Sequence, residues 1–293
     1  MPKMDDDNVF GRIKYGGVLW LVLGLLSGGP GSVLLARQQA AHASPCDRTV
    51  ICPAETLVYE VSWMKIRLGQ VRLVAGVPTT EGGTTAYHAA AYIDSYQGLP
   101  FVDIHAVDHS TFDSGYYSRG FYSSDKKDDY WKTEHSLYDF SRRLIFIENI
   151  TQRTRKSPPD GPPVIDTIRI TDTLMEDGLS ILYFARAYLH TAGPRAVPTL
   201  VYRKLGATRF AFPGAIEPVE IDLFPGKKIR SLRFTGKAEF EGIFGLTGDF
   251  EGWFSDDNAA VPLSAEIKVL IGSVRLELVR CSRPGWEPPE ILR

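Results

Sequence analysis

The chain of 293 residues carries a formal net charge of −2, and 44% of its residues are hydrophobic, 11% aromatic and 23% charged. This apolar content excludes an intrinsically disordered protein and is sufficient for a full hydrophobic core. The near-neutral charge lacks the basic footprint of nucleic-acid-binding domains, so we expect no nucleic-acid partner and no partner held by bulk charge.

The first 43 residues have the layout of a signal peptide. Arg12 and Lys14 precede the apolar stretch GGVLWLVLGLL at 16–26, and AHA at 41–43 has the small-x-small form of a signal-peptidase site. The unbroken apolar run is too short to span a bilayer. The alternative is an uncleaved anchor over 16–36, through which the N-terminus would contact the membrane. Either interpretation predicts an exported protein.

Three cysteines follow this segment: Cys46, Cys52 and Cys281. In an oxidising compartment we expect one disulfide among them. A bond between Cys46 and Cys52 would close a short loop, whereas a bond from Cys281 to either would tie the two chain ends together. The sequence leaves the pairing open, and the odd count leaves one thiol over.

From Glu55 onward the dominant hydrophobic period is two, which is typical of half-buried strands. In ETLVYEVSW, the side chains of Leu57, Tyr59 and Trp63 share one face of the predicted strand. The next segment, MKIRLGQVRLVA, changes phase at Gly69. This change predicts a bulge or a tight turn at the glycine.

Further alternating segments follow: TAYHAAAYIDS, VDIHAVDHSTFDS, RGFYSSDKKDDYWKTEHSLYDF and RRLIFIENITQRT. The charged stretch SDKKDD at 124–129 lies between two Tyr-rich runs and predicts the loop of a hairpin. The cluster KSPPDGPP at 156–163 predicts an exposed loop, because proline cannot donate to a strand ladder and glycine allows unusual φ angles.

One helix is predicted, over about 177–190 within DGLSILYFARAYLHTAG. Asp177 or Ser180 can cap its start, and the pair Gly193-Pro194 is expected to end it. The segment is nearly apolar all round. We therefore expect it to pack against a sheet rather than lie in solvent.

Strands resume after the helix in TLVYRKL, TRFAFPG, EPVEIDLF, KIRSLRFTGKAEFEG, GDFEGWFS and AEIKVLIGSVRLELV. Short strands with turn signals between them predict a mainly β fold: a curved antiparallel sheet or open half-barrel with one packed helix. No linker divides the later part of the chain, so residues 1–43 are assigned to the signal peptide or anchor and 44–293 to a single β-rich domain.

The segment DIHAVDH contains a candidate metal site, because Asp103, His105 and His109 would share one face of a strand. The same spacing arises on any strand, and no further His or Cys lies at a telling distance. A polar strand face is therefore the favoured interpretation. No glycine-rich phosphate loop is present either, so we expect neither a metal nor a cofactor.

Asp256 and Asp257 raise the question of a hydrolase. Paired catalytic carboxylates must converge on one bond from about 5–10 Å apart, whereas adjacent strand residues point to opposite faces. The stretch SDDNAA at 255–260 has the composition of a turn, and Pro262 can begin the next strand. A turn is favoured, Ser180 lacks the surroundings of a nucleophile elbow, and no catalytic residue is expected.

Three segments stand out together: ETLVYEVSWMKIRLGQVRL at 55–73, DGLSILYFAR at 177–186 and GWFSDDNAAVPLSAEIKVLIGSVRLEL at 252–278. In this order they resemble the bacterial family called domain of unknown function 3108. Phe254 stands where that family often has Leu. The residues that carry the resemblance, which we expect to be structural, are Tyr59, Trp63, Gly69, Asp177, Leu179, Ser180, Tyr183, Arg186, Trp253, Asp256, Asp257, Pro262 and Gly272.

The resemblance implies an exported, β-rich protein in the periplasm or at the outer membrane of a Gram-negative bacterium. It implies no established activity, so it transfers no catalytic residue. The plan of a curved sheet with one helix is similar to that of periplasmic lipoprotein carriers, which hold acyl chains in a concave sheet. This similarity is one of fold and predicts function only indirectly.

We therefore expect a non-enzymatic envelope protein that binds a lipid or other apolar ligand in a concave sheet. The chain has 13 Tyr, 15 Phe and 5 Trp, which can line such a cavity but are equally explained by core packing. The alternative is a structural or interaction module that binds another envelope protein through a sheet edge or the loop 156–163. A hydrolase ranks third, because it requires the aspartates or the DIHAVDH group to converge on one cleft.

Overall fold

The part of the chain that this computed structural model describes begins at the cysteine pair and comprises residue 46 and residues 49–100, 102–171, 174–239, 248–269 and 271–291. The predicted signal peptide or anchor lies outside the described residues. Ala43–Arg293 form one compact unit. None of the helices in the described ranges has the length and apolar content needed to cross a membrane.

The period-two pattern produces a sheet-dominated structure with one α-helix in the described residues. The strands are β1 (Thr56–Trp63), β2 (Ile66–Ala75), β3 (Thr79–Glu81), β4 (Thr84–Ser95), β5 (His105–Phe112), β6 (Ser118–Lys126), β7 (Trp131–Asp139), β8 (Leu144–Gln152), β9 (Val164–Arg169), β10 (Gly193–Val201), β11 (Lys204–Phe212), β12 (Ile216–Val219), β13 (Ile229–Ala238), β14 (Gly248–Ser255), β15 (Pro262–Lys268) and β16 (Ser273–Ser282), and the helix α1 spans Ser180–Tyr188.

The strands form one long sheet in the order β10-β11-β13-β14-β15-β16-β1-β2-β4-β5-β6-β7-β8-β9. The short strands β3 and β12 pair with β4 and β13, and the strand pairs of the sheet are antiparallel. Most neighbours in space are neighbours in sequence, whereas β1 joins β16 from the other end of the chain. The sheet does not close, since β9 and β10 end it. The predicted curved antiparallel sheet with a packed helix is confirmed.

A short strap before the helix, residues 174–177, connects the two halves of the sheet. The amide of Ser118 at the start of β6 donates to the carbonyl oxygen of Met175 at 2.9 Å. Glu176 makes a parallel bridge to β10, donating to Pro198 and accepting from the amide of Leu200, both at 2.9 Å. The strap therefore links β6 to β10 and delivers the chain into α1.

Prolines protect the edge strand β10 against further strand pairing. The N–H of Leu200 points away from β11 to the strap, and alternate strand residues direct their N–H groups to the same side. Pro194 and Pro198 belong to this alternate set and have no N–H to donate. Ala196 is therefore the one residue between them that can donate outward. An edge with so few donors is a poor template for an added strand.

The helix lies on the concave side of the sheet and its inward side chains are buried. Tyr183 and Phe184 are 2% and 3% exposed, and the ring of Tyr183 lies 5.1 Å from that of Phe112 on β5. The helix is shorter than predicted. Gly193 and Pro194 do not end it but begin β10, because Gly193 adopts φ 111° and the fixed φ of proline suits an extended strand.

Two of the predicted strands are in fact hairpins. TLVYRKL turns at Tyr202 and Arg203, which adopt φ 46° and 63°, and AEIKVLIGSVRLELV turns before Gly272 at φ 77°. Consecutive positive φ angles make the tight hairpin turn that matches the twist of two strands. Neither Tyr202 nor Arg203 is the Asn or Gly that usually marks such a turn, which is why the composition of this segment conceals it.

The predicted irregularity at Gly69 is confirmed. The register of β1 against β2 shifts between Val61, opposite Gly69, and Ser62, opposite Arg67. A Cβ atom on Gly69 would lie 2.3 Å from the carbonyl oxygen of Asp94, so no other residue fits at this approach of two backbones. The predicted β6–β7 hairpin and the exposed loop at 156–163 are also present, although β6 extends as far as Lys126.

Candidate functional site

A groove of about 460 Å³ lies between α1 and the edge strand β10, and we call it the α1–β10 groove. The helix, the start of β10, the strap and the turn before β6 all contribute to its wall. The side chains that shape it are Tyr117, Leu174, Phe184, Tyr188, Arg195 and Val197. Five of these side chains are aromatic or aliphatic and one is basic, but most of the surface that lines the groove is polar.

Arg195 is the charged group of the α1–β10 groove. Its guanidinium lies over the ring of Tyr188, 4.2 Å from the ring centroid. Its Nε atom is buried and has no hydrogen-bond partner. Burial raises the pKa of the nearby Tyr117, and the positive charge of Arg195 opposes part of that rise. The groove therefore contains a cation that lies over an aromatic ring and has an unused donor.

The space directly beneath the helix is filled by side chains. Phe184 contacts the rings of Tyr188 and Phe210 at centroid distances of 4.4 and 6.4 Å, and Phe210 stacks on Phe212 at 5.7 Å. These aromatic residues, which were considered as a cavity lining, therefore pack against one another at this position. The open space is at the flank of the helix, beside β10.

A second depression, of about 790 Å³, lies across β11 and β13–β16. Most of the surface that lines it is apolar, and its residues include Arg209, Phe210, Arg233, Phe250 and Glu251. The guanidinium of Arg233 is already paired with Glu251 at 2.6 Å. Since its charge is matched within the protein, Arg233 offers a charged ligand less than Arg195 does.

Arg186 of the predicted signature belongs to a buried charge cluster with Glu55 and Arg283. Its Nη1 atom lies 2.7 Å from Glu55 Oε1, and its other nitrogens donate to the carbonyl oxygens of Ala259 and Ala260 at 3.0 and 3.1 Å. Arg283 donates to the second oxygen of Glu55. Burial alone would raise the pKa of Glu55, but the two guanidinium groups hold it below its ordinary value.

Asp256 and Asp257 lie in the turn between β14 and β15, as predicted, and their carboxylates have different partners. Asp257 Oδ1 accepts from the amides of Ala259 and Ala260 at 3.0 and 2.9 Å, and Oδ2 accepts from Trp286 Nε1 at 2.8 Å. Asp256 instead forms an ion pair with Arg230 at 2.5 Å. The turn formed by Asp257 presents the two alanine carbonyls to Arg186.

Asp177 and Ser180 hold the start of α1. Asp177 Oδ1 accepts from the amide of Ser180 at 2.7 Å, and Ser180 Oγ accepts from the amide of Asp177 at 2.9 Å. This is the reciprocal arrangement of a capping box. Asp177 Oδ2 also accepts from the hydroxyls of Ser110 and Ser118, both at 2.6 Å, which ties the helix start to β5 and β6.

Two of the signature residues, Tyr59 and Trp63, join β1 to the C-terminal part of the sheet. Tyr59 donates from its buried hydroxyl to the carbonyl oxygen of Pro262 at 2.9 Å, and Trp63 donates to the carbonyl oxygen of Ile271 at 2.8 Å. Gly272 stands beside that indole with φ 77°. Trp253 donates to Glu217 at 3.0 Å. Tyr59, Trp63 and Trp253 thus each donate a hydrogen bond to another strand or turn of the sheet.

The structure does not bring the three metal candidates together. His105 lies between Asp94 and Asp103, with nitrogen–oxygen distances of 2.8 and 3.2 Å, and Asp103 also pairs with Lys126. His109 is four residues further along β5, or about 13 Å for an extended strand, and contacts the ring of Tyr122. Among the described residues no three His, Cys, Asp or Glu side chains form a metal-binding group.

Cys46 and Cys52 form the disulfide, and Cys281 carries the free thiol. Of the alternatives left open by the sequence, the short loop is the one formed. Burial raises the pKa of the Cys281 thiol to about 12. Since the thiolate is the reactive form, this cysteine is expected to be inert.

The concave face of β5–β8 carries a row of polar side chains. Asp108, Ser123, Glu134 and Asn149 lie directly opposite one another on successive strands. Ser110, two residues from Asp108 on the same face, bonds the strap and so shows that this face points inward. We call this row, together with Ser136 and Tyr138 of β7 and Glu176 of the strap, the polar interior.

Burial changes the acid–base behaviour of the polar interior. Burial raises the pKa of Asp108 to about 7 although a hydrogen bond from Ser123 lowers it. The charges of Asp125 and Asp177 raise this pKa further. Burial also raises the pKa of Glu176 to about 9. The hydrogen bond from Ser180 lowers this pKa, and the charge of Asp177 raises it. Near neutral pH Glu176 is therefore largely protonated, and Asp108 is close to the midpoint of its titration.

Replacing Asp108 by Asn (D108N) is expected to make folding stability less dependent on pH. The folded state holds a proton on Asp108 between its ordinary pKa of 3.8 and about 7, where the unfolded state has lost it. Stability therefore falls as pH rises through this window, and removal of the carboxyl abolishes that part of the fall. Urea midpoints measured from about pH 4 to pH 8 give the two curves.

Asp103→Asn is the control for this experiment. Lys126 lowers the pKa of Asp103. This exposed carboxylate therefore affects the pH dependence of stability in the opposite direction, because the stabilisation it provides is lost as pH falls. Parallel curves for wild type and Asp108→Asn would show that Asp108 titrates in the folded protein as it does in the unfolded chain.

A profile described as a protein of unknown function, DUF3108, matches residues 58–279. The chain belongs to this family. The prediction from the three sequence segments is therefore confirmed, and the signature residues from Tyr59 to Gly272 all lie within the matched span. The family assigns no activity. The comparison with curated proteins found no match.

Two solved structures are distant relatives in shape. A beta-barrel-like protein of domain of unknown function DUF1849 from Brucella abortus has 10% identity and a TM-score of 0.48, covering 80% of this chain and 98% of its own. A Bacteroides fragilis protein with a YmcC-like fold has 8% identity and a TM-score of 0.34, covering 80% and 99%. At this level of similarity neither relative carries an indication of function to the DUF3108 protein.

Sequence reasoning did not find the residues of the groove or of the polar interior. No sequence pattern indicated a role for Arg195, because this residue lies in a segment that was expected to follow the end of the helix. Asp108 lies within DIHAVDH, but the predicted metal candidates His105 and His109 are on the opposite face of the strand. The polar residues Glu134 and Ser136 lie on one face of β7. They indicate a polar interior only when that face is known to point inward.

Proposed function

We propose that this chain is an exported, non-enzymatic envelope protein that binds an amphiphile with an anionic head group in the α1–β10 groove. The observation that carries the proposal is the unpartnered Nε atom of Arg195 among aromatic side chains. The signal-peptide pattern of the N-terminus and the Cys46–Cys52 disulfide support export to an oxidising compartment.

An anionic head group would satisfy Arg195. A buried donor without a partner costs about 1–3 kcal/mol, and more for a charged group. A carboxylate or phosphate oxygen matches a guanidinium in charge and geometry and can remove this cost. The apolar part of the ligand would lie against Tyr117, Leu174 and Tyr188, which line the groove and are at least partly exposed. The groove volume of about 460 Å³ is of the size that small-molecule sites have.

The alternative, a module that binds an envelope protein by strand addition, receives less support. Pro194 and Pro198 remove the outward donors of β10, as described above. The other sheet edge, β9, has no proline within it and exposes Val164 and Ile165 at 65% and 64%. It is the edge that a protein partner would use, but none of the described side chains of β9 has a buried polar atom without a hydrogen-bond partner.

Arg195→Gln is expected to weaken the binding of an anionic amphiphile about tenfold. Loss of one charge-assisted hydrogen bond costs about 1.5–3 kcal/mol, and 1.4 kcal/mol corresponds to a factor of ten. The measurement is the fluorescence titration of the purified protein with cis-parinaric acid and, separately, with its methyl ester. The ester keeps the chain but lacks the negative charge, so its affinity is expected to be lower and unaffected by Arg195→Gln.

Arg209→Gln is the matched control, because Arg209 lies on the adjacent strand opposite Ala196 and its guanidinium pairs with Glu239 at 2.9 Å. This variant is expected to bind the acid as the wild type does. Equal affinity for the acid and its ester, equal losses in the two arginine variants, or no fluorescence change with the wild type would each contradict the proposal.

A further inference from the structure

Two neighbouring turns of the sheet expose large apolar side chains to solvent. Met64 lies in the turn between β1 and β2, Ile271 lies in the turn between β15 and β16, and these side chains are 61% and 62% exposed. Ile66, the first residue of β2, is 50% exposed. Because the end of β1 pairs with the start of β16, the two turns lie side by side. Apolar side chains that are exposed together indicate a surface that contacts another molecule.

Direct contacts join these side chains into one patch. Trp63, at the end of β1, donates from its indole to the carbonyl oxygen of Ile271 at 2.8 Å. A Cβ atom on Gly272 would lie 3.5 Å from Met64 Cγ and 3.7 Å from Trp63 Nε1, so the first turn packs on the second. Trp63 also lies directly opposite Ile66 on β2. We call Trp63, Met64, Ile66 and Ile271 the hydrophobic tip.

The hydrophobic tip is continuous with the main core. Ile66, Trp63, Val274 and Ile267 lie directly opposite one another on β2, β1, β16 and β15, and Val274 in this row is buried. Directly opposite residues share a face of the sheet, so the row faces inward. Trp63 packs on the core and has its N–H group at the tip. Such a placement is typical of tryptophan at the boundary between an apolar and a polar phase.

The charges beside the hydrophobic tip are positive. Segments 63–67 and 268–274 contain three basic residues, Lys65, Arg67 and Lys268, and no acidic one. Arg67 already pairs with a carboxylate of β1. Lys65 and Lys268 are exposed, and within the described ranges they form no ion pair. An apolar tip flanked by unpaired cations complements a surface that carries negative charge outside and is apolar beneath.

The position of the hydrophobic tip favours a lipid surface over a protein partner. The strands β1, β2, β15 and β16 each have a neighbouring strand on both sides, so no strand can be added here. The tip is also small, whereas a stable protein interface involves about 20–30 residues on each side. A bilayer requires no such area, because the affinity increases with the apolar surface inserted and with each cation near anionic lipid.

We propose that the hydrophobic tip is a membrane-contact site, which inserts into the surface of a bilayer that contains anionic phospholipid. The apolar side chains of the two turns enter the boundary between head groups and acyl chains, and Trp63 lies at the level of the head groups. Lys65 and Lys268 lie against the lipid phosphates. This site shares no residue with the α1–β10 groove and does not depend on the function proposed there.

A nitrobenzoxadiazole label on the full chain, attached at Met64→Cys in a Cys281→Ser background, tests this contact. Vesicles of phosphatidylethanolamine and phosphatidylglycerol are expected to increase its emission and shift it to shorter wavelength, because the label leaves water. Vesicles of phosphatidylcholine alone are expected to give a weaker response, since they do not attract the lysines. Adding Ile271→Ser is expected to raise the lipid concentration at half-maximal response about threefold to tenfold, because less apolar surface is inserted.

Val77→Cys is the matched control for Met64→Cys. Val77 is apolar and 71% exposed, but it follows the opposite end of β2. A label there is expected to stay in water, even on a chain that the N-terminal segment holds on the vesicle. Equal responses at the two positions, no response at Met64→Cys, or equal responses to both kinds of vesicle would each overturn the proposal. A response that grows with protein concentration without vesicles would overturn it too, and would assign the tip to a second copy of the chain.

Discussion

Arg186→Met is expected to lower the free energy of unfolding by about 3–5 kcal/mol, the usual cost of breaking a buried ion pair by removing one partner. The variant would leave Glu55 with Arg283 alone and would leave the carbonyl oxygens of Ala259 and Ala260 without their donor. Since α1, the β14–β15 turn and the start of β1 all meet at this guanidinium, the loss is expected to loosen the helix as well. Urea denaturation followed by far-ultraviolet circular dichroism measures it.

Arg233→Met is the matched control for Arg186→Met. Its guanidinium also lies 2.6 Å from a carboxylate, that of Glu251, but on a side chain that is 36% exposed. Exposed ion pairs contribute about 0–1 kcal/mol. If the two methionine variants lose the same stability, the buried charge cluster does not hold the helix to the sheet, and the structural role that we assign to Arg186 is wrong.

Asp257→Ala is expected to cost about 3 kcal/mol or more, whereas Asp256→Ala is expected to cost about 1 kcal/mol or less. Removal of Asp257 leaves the amides of Ala259 and Ala260 and the indole of Trp286 without an acceptor, and each buried unsatisfied donor costs about 1–3 kcal/mol. Asp256 has an ion pair with a half-exposed Arg230. Chemical denaturation of the two variants under one set of conditions makes the comparison.

Each of the two adjacent aspartates is the control for the other, because both are negatively charged and both lie in the same turn. A hydrolase that used them as a catalytic pair would lose activity with either substitution and would show no such difference in stability. Similar losses of stability in both variants would mean that the turn does not depend on the acceptor bonds of Asp257.

Much of the fold could be predicted from local pattern. The alternation around Tyr59 and Trp63 predicted strands that the structure contains, and the break in phase at Gly69 predicted the bulge. The apolar run after Asp177 predicted the helix, and the Asp-Asp-Asn stretch predicted a turn. Each prediction depends on the period or the turn chemistry of neighbouring residues, which is written into a short segment.

The contacts that carry the proposals could not be predicted in this way. Arg186 and Glu55 are separated by 131 positions, and no local pattern pairs them. A usable signal did exist, since a single arginine inside an otherwise apolar helix must find a buried partner. The sequence could not say which acid that partner is.

By itself, the sequence determined the strand-rich class, the single helix, the family and the presence of a turn at Asp256-Asp257. Only the tertiary structure decided which cysteines pair, where β10 begins, and which strand faces point inward. It also placed Arg195 beside the aromatic side chains of the helix and aligned Asp108, Ser123, Glu134 and Asn149 across four strands. The physical reason is that periodicity defines two faces of each strand, whereas strand pairing and sheet curvature decide which face is buried and which distant residues meet there.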